Sequence, residues 1–153
     1  MKLKIPPIIQ FLFFSIAGLV SSILLPTNQV SWLIFSYLGW VLIGIGALIL
    51  AGAVLAFINA KTSVNPVKPD QAKALVMSGL YRFSRNPMYL GMALILFGEA
   101  LVLGNFFVLL APILFVICIT YMQIIPEEKV LEMKFGQEYL HYKKSIPRFI
   151  LFV

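Results

Sequence analysis

The chain has 153 residues, enough for one domain, and is 61% hydrophobic and only 12% charged. Soluble domains sit nearer half apolar and a quarter charged, so composition alone marks a membrane protein. The net charge of +6 does not imply nucleic acid: no Lys, Arg, Asp or Glu lies between Lys4 and Lys61, and only Glu99 lies between Arg85 and Glu127, so the cations flank apolar stretches, where they set orientation and attract anionic lipid.

Lys2 and Lys4 precede an apolar run from Ile5 to Leu25, with Pro6 and Pro7 suited to a helix start. No small-residue cleavage site follows and a second apolar run does, so a retained first transmembrane helix is expected rather than a signal peptide. Pro26-Thr27-Asn28-Gln29 reads as an uncharged turn. Ser31 to Asn59 forms the second span, roughly 43 Å at 1.5 Å per residue. That exceeds the ~30 Å hydrocarbon core, so the helix must tilt or project, with Trp32 anchoring one end. Gly52, Ala56 and Ala60 form a small-residue face, and Gly18 and Ser22 offer a matching patch on the first helix.

Lys61 to Arg85 is the long polar connection. Asn65-Pro66 and Lys68-Pro69 discourage helix in its first part. A helical turn is expected through Gln71 to Met77, stopped at Ser78-Gly79. The third span runs from Met88 to Leu103, about 24 Å, and Gly104-Asn105 turns the chain into a fourth, Phe106 to Ile125. Beyond it, Leu131, Phe135, Tyr139 and Tyr142 recur at amphipathic-helix spacing, with Gly136 weakening the middle. Ile146 to Val153 is expected to lie along the interface. The fold class is thus all-α: a polytopic membrane protein of about four transmembrane helices in two hairpins, plus a cytoplasmic C-terminal amphipathic helix. Residues 1–60 form the N-terminal hairpin and 61–153 the remainder of a single domain. Every basic cluster falls on one side of this arrangement, which the positive-inside rule makes cytoplasmic.

Three features carry potential chemistry. Tyr81, Arg82, Arg85, Asn86 and Tyr89 crowd the start of the third span, where unpaired helix N–H groups suit a carboxylate or phosphate. Interfacial arginines there also serve as topology anchors. Glu127 and Glu128 lie at the same membrane face, either as a solvated helix start or as partners for a bound cation. Fixed cations and fixed acids together suit a zwitterion such as S-adenosyl-L-methionine, whose sulfonium aromatic faces attract. Glu99 is an ionisable group inside a span, a functional hypothesis by default, but it sits near the far end and structural hydrogen bonding or an oligomer contact competes with catalysis. Cys118 is a single thiol inside an apolar run and His141 the single histidine, so a disulfide within the chain and a cysteine or histidine metal cluster are excluded.

The run Leu-Val-x-Ser-Gly-x-Tyr (Leu75 to Tyr81), Arg-Asn-Pro-Met-Tyr-Leu-Gly (Arg85 to Gly91) and Glu-Glu…Phe-Gly-x-Glu-Tyr-x-x-Tyr (Glu127 to Tyr142) resembles the isoprenylcysteine carboxyl methyltransferases and related integral-membrane phospholipid methyltransferases. The resemblance covers roughly the C-terminal half. It implies S-adenosyl-L-methionine bound at the cytoplasmic face and a lipophilic acceptor arriving from the bilayer, such as a prenylcysteine-type carboxylate or a lipid amine. By position it implies that Lys73, Ala74, Leu75 and Val76 line the cofactor, and that Tyr81, Asn86, Pro87, Met88 and Tyr89 contact it. Glu127, beside Glu128, would hold its polar end, Arg85 would brace the turn, and Gln123 would meet the substrate. Arg85, Asn86 and Glu127 are the catalytic candidates. Asn86 stands where the family's usual motif has His, so no base is available there, and Gln123 stands where the prenylcysteine enzymes carry an arginine. Two rival readings are a sterol-type membrane reductase using NADPH and a non-catalytic membrane scaffold of the same fold.

Overall fold

The computed structural model describes residues 5–25, 33–60 and 74–150, and within them the fold is all-α. The Pro26–Gln29 turn, Trp32, the first part of the polar connection and Lys73 lie outside the described residues. Pro7 opens α1 (Pro7–Leu24), where its missing N–H is no loss. The second helix, α2, spans Leu33–Asn59. Pro87 opens α3 (Pro87–Leu103), which Gly104 ends in the left-handed conformation. The Asn105 side chain then accepts from the Phe107 N–H and donates to the Leu25 carbonyl, tying this turn to the end of α1.

A 3₁₀ turn (Phe106–Leu109) leads into α4 (Leu110–Ile119), which passes through a π-helical segment, Thr120–Ile124, into α5 (Ile125–Phe135). The fourth span was expected to stop at Ile125, yet the helix continues straight into the charged tail. Pro126 supplies the physical reason. Its ring and absent N–H cannot follow an ordinary α turn without breaking a bond and crowding the carbonyl four residues back. Widening the preceding turn, so that the Ile125 N–H reaches the Thr120 carbonyl, lets the rod absorb it. The break falls instead at Gly136, whose φ of 53° and ψ of −125° suit glycine alone. Past it, α6 (Gln137–Ser145) buries Tyr139 and Tyr142.

Among the described residues, three helices are long and apolar enough to cross a membrane: Pro7–Leu24, Leu33–Asn59 and Phe106–Phe135; α3 is apolar but shorter. Large apolar side chains of the first two point outward, with Ile23 81%, Ile34 78% and Tyr37 74% exposed. Water would not tolerate that much apolar surface; lipid does. The short α3 is the hub. It packs against α2, α1 and α4 and buries eight residues, among them Tyr89, Gly91, Met92, Leu96 and Gly98. Tyr89, Met92 and Leu96 join Phe115, Ile119 and Ile124 in one core, covered by Phe11, Phe14 and Phe149. Phe11 and Phe14 meet Phe115 edge to face, at 6.4 and 6.0 Å between centroids.

The small residues pair differently from expectation. Gly18 faces Val108 rather than α2, Ser22 bonds back to its own helix, and Gly52 faces Leu80. The close approach is between α2 and α3, where Gly39 lies against Gly98 and Gly46 against Gly91. Glu99 accepts a hydrogen bond from Ser15 across α1 and α3 at 3.1 Å, a structural role for that intramembrane acid.

Candidate functional site

The site is assembled where α3 begins and the α4–α5 rod turns polar. Residues 74–78 are irregular, so the described part of the helical turn expected through Gln71 to Met77 does not form. The stretch buries Val76, and Gly79, at φ 61°, starts a 3₁₀ turn, Gly79–Arg82. That turn drives Tyr81 into a small core with Ala53 and Val76, edge-on to Phe57 of α2 at 5.3 Å. Arg82 projects outward, as an anchoring arginine would. Ser84, Arg85 and Asn86 then form a tight connection: the Asn86 N–H donates to the Ser84 hydroxyl at 3.1 Å, and Pro87 starts α3.

The two acids of α5 come to this connection and divide its partners between them. Tyr89 donates its phenol to Glu127 Oε2 at 3.1 Å. Arg85 Nη1 donates to Glu128 Oε1 at 2.9 Å. Glu128 also takes a two-pronged contact from Arg148, with Nε to Oε1 at 3.1 Å and Nη2 to Oε2 at 2.7 Å. Charge-assisted bonds of this bidentate kind are the strong ones, and the Arg85 and Glu128 side chains are only 6% and 7% exposed. Glu128 is therefore saturated. Glu127 is half-buried, holds one neutral donor, and has no cation within ion-pair distance among the described residues.

The chain's end completes the arrangement. Ile146 to Val153 was expected along the interface, but its described part, residues 146–150, folds back over the turn before α3. The Arg85 N–H donates to the Pro147 carbonyl at 2.9 Å. The Arg148 carbonyl accepts from the Ser84 hydroxyl and from the Asn86 amide, each at 3.1 Å. Phe149 packs into the main core. The tail returns because its two carbonyls find donors here and its one cation finds Glu128. Ser84 and Arg148 were missed in the sequence. A lone arginine inside an apolar tail was the available signal, since such a charge needs a buried partner.

A second tie comes from α6, whose Tyr142 hydroxyl donates to the Tyr81 carbonyl at 2.7 Å. Burial pushes the phenols of Tyr142 and Tyr139 up, and Tyr81 still further, with Glu127 adding to the shift at Tyr81 and Glu128 to that at Tyr139. All three phenols stay neutral across the physiological range. The hydrogen bond to Glu128 raises Arg148, keeping its charge fixed.

Of the expected site residues, Tyr81, Arg85, Asn86, Pro87, Met88, Tyr89, Glu127 and Glu128 gather at one end of the helix bundle. Gln123 is fully buried on the π-helical segment one turn before Glu127, where it bonds the Tyr89 phenol. Val76 approaches through the Tyr81 core, Leu75 is half-buried, Ala74 is exposed, and Lys73 lies outside the described residues. Asn86 and Glu128, however, are occupied by protein partners.

A family model described as phospholipid methyltransferase matches residues 34–138. That match takes in α2 from its second residue on, further than the motifs reach. The chain is 29% identical over 138 residues to protein-S-isoprenylcysteine O-methyltransferase A of Arabidopsis thaliana, covering 88% of this chain and 68% of that protein. It is 44% identical over 63 residues to an uncharacterised protein of Haemophilus influenzae, covering 41% of this chain and the whole of the relative. No solved structure matches the chain.

Proposed function

Because the chain belongs to the phospholipid methyltransferase family, we propose that it is an integral membrane enzyme that moves a methyl group from S-adenosyl-L-methionine to a lipophilic acceptor drawn from the bilayer. The observation that carries this reading is the Tyr89–Glu127 contact, which joins two stretches 38 residues apart at the polar end of the bundle. It leaves one carboxylate, beside a helix start, without a cation within ion-pair distance among the described residues.

The residues fit that donor. Glu127 is an acid suited to the ammonium group. The first turn of α3 offers the Met88 and Tyr89 N–H groups, which have no partner within their own helix, to a carboxylate. Pro87 at the first helical position loses nothing there. When bound, the sulfonium supplies an already activated methyl, so no covalent enzyme intermediate is needed. The protein's part is alignment and exclusion of water, and alignment supplies roughly 7–11 kcal/mol in favourable cases. Tyr89 holds Glu127 in place, while Arg85 and Asn86 brace the turn through Glu128 and Arg148 rather than touching reacting atoms. Gln123, buried a turn deeper toward the apolar part of the rod, faces the acceptor. Under the positive-inside rule, the clustering of basic residues in the sequence at Lys2 and Lys4, in the Lys61–Arg85 connection and in the C-terminal tail supports a cytoplasmic face for the site, where the donor is made.

The test is titration of detergent-solubilised protein with S-adenosylhomocysteine, followed by incubation with labelled S-adenosyl-L-methionine and native membrane lipids. Saturable binding and a labelled lipid are expected. Absence of binding, or saturable binding of NADPH in its place, overturns the reading. Tyr89→Phe removes a hydrogen bond to a charged group, about 1.5–3 kcal/mol, and is expected to weaken binding at least tenfold. Glu127→Gln is expected to weaken it further, with the protein still folded.

A further inference from the structure

We infer that Arg148 is a positioning residue for the methyl-donor site, acting by stapling the start of α5 to the turn before α3 so that Glu127, and not Glu128, is left open to the ligand. The inference rests on the proposed function for its ligand but on geometry for its mechanism.

Glu127 and Glu128 are consecutive on the first turn of α5 and therefore point about 100° apart. Either could take a bound ammonium, and either could be neutralised by Arg85. Arg148 decides between them. Its guanidinium occupies both oxygens of Glu128, so the acid that Arg85 also reaches is closed from two sides. The same residue's carbonyl accepts from Ser84 and Asn86, and the carbonyl before it accepts from the Arg85 N–H. Arg148 is thus bonded at its tip to α5 and at its backbone to the loop that launches α3. Those are the two elements that present Glu127 and Tyr89. With α5 fixed in rotation by Glu128, the Tyr89 phenol meets Glu127. Without the staple, Arg85 alone holds Glu128, and the first turn of α5 sets the Glu127 carboxylate less firmly against Tyr89.

A tail that merely added stability would not discriminate among ion pairs. Lys143 pairs with Glu132 between α6 and α5, and these side chains are 36% and 31% exposed. It serves as the control for a tail ion pair remote from the site. The chemistry of the fork also separates readings: lysine keeps the charge of Arg148 but cannot bond both carboxylate oxygens in one plane.

The experiment compares full-length wild type, Arg148→Ala, Arg148→Lys and Lys143→Ala in detergent by two measurements. One is hydrogen exchange at the Arg85 amide, which needs no ligand. The other is affinity for S-adenosylhomocysteine. Arg148→Ala is expected to speed Arg85 exchange and to weaken binding by about tenfold or more, the loss expected for charge-assisted bonds. Arg148→Lys should fall between it and wild type, and Lys143→Ala should match wild type in both. Unchanged Arg85 exchange in Arg148→Ala overturns the inference whether or not ligand binds. Accelerated exchange with undiminished affinity also overturns it, as does an equal loss in Lys143→Ala. If wild type binds no S-adenosylhomocysteine, the enzyme assignment falls with it, and this inference with that assignment, while the exchange result still reports whether the staple exists. Should Arg148→Ala fail to fold, the lysine variant decides by the same two measurements.

Discussion

Glu128→Ala is expected to destabilise the protein by about 3–5 kcal/mol, more than any other single change at the polar end of the bundle. The reason is what it leaves behind. Arg85 is buried to 6% side-chain exposure, and its Nε already lacks a hydrogen-bond partner among the described residues. Removing Glu128 would strand its guanidinium charge away from water and release Arg148 at the same time. Arg148→Ala should cost much less, because Glu128 keeps Arg85 at 2.9 Å and the Arg148 side chain is already 31% exposed. Glu128→Gln keeps the shape but not the charge and should fall between the two. Thermal unfolding in one detergent, followed by loss of monodisperse protein, ranks the three. A Glu128→Ala protein as stable as wild type would mean that the buried pair contributes nothing, and that the acid is open to the ligand after all.

The same triad separates what the sequence disclosed from what it withheld. Three helix boundaries were legible because local chemistry sets them: Pro7 and Pro87 open helices, and Gly104 closes one, with no reference to the rest of the chain. The association of the Arg85–Tyr89 segment with Glu127 and Glu128 was legible because both sit at one face of any four-span arrangement. The division of labour between the two acids was not, since adjacent residues on a helix differ only in azimuth. The π-helical turn at Thr120–Ile124 shifts that azimuth before the Glu128 ion pairs fix it, and no period in the sequence announces such a turn. The return of Pro147–Phe149 was hidden for a related reason. Apolar composition suggests lipid, and only the three-dimensional placement of Ser84, Asn86 and Glu128 offers the tail something better.

Helix pairing in the apolar region was also beyond composition, and it supports the second large effect. Small residues on one face predict close contact but not with which neighbour. Here the glycines that matter are spaced by seven on both partners, Gly39 with Gly46 and Gly91 with Gly98, and they meet antiparallel. A Cβ at position 98 would lie 2.5 Å from the Gly39 carbonyl oxygen, and one at position 91 would lie 2.7 Å from that of Gly46. Neither obstacle is a side chain that can swing aside; each is backbone of a facing helix. Gly98→Ala and Gly91→Ala must therefore push α2 and α3 apart, at a cost of about 1–3 kcal/mol each, and leucine at either position should prevent assembly. Gly44→Ala is the internal control, because nothing lies within 4 Å of a Cβ there, and it should leave stability within about 0.5 kcal/mol. The two seam positions should differ in function even where they match in stability. Gly91 is two residues from Tyr89, so displacing α3 there moves the phenol off Glu127 and should weaken S-adenosylhomocysteine binding. Gly98 lies two turns further along the helix, and its substitution should lower thermal stability with less effect on affinity. Equal stability of Gly44→Ala and Gly98→Ala would overturn the backbone-contact account of how α3 is held, and with it the rigid platform on which the polar site is built.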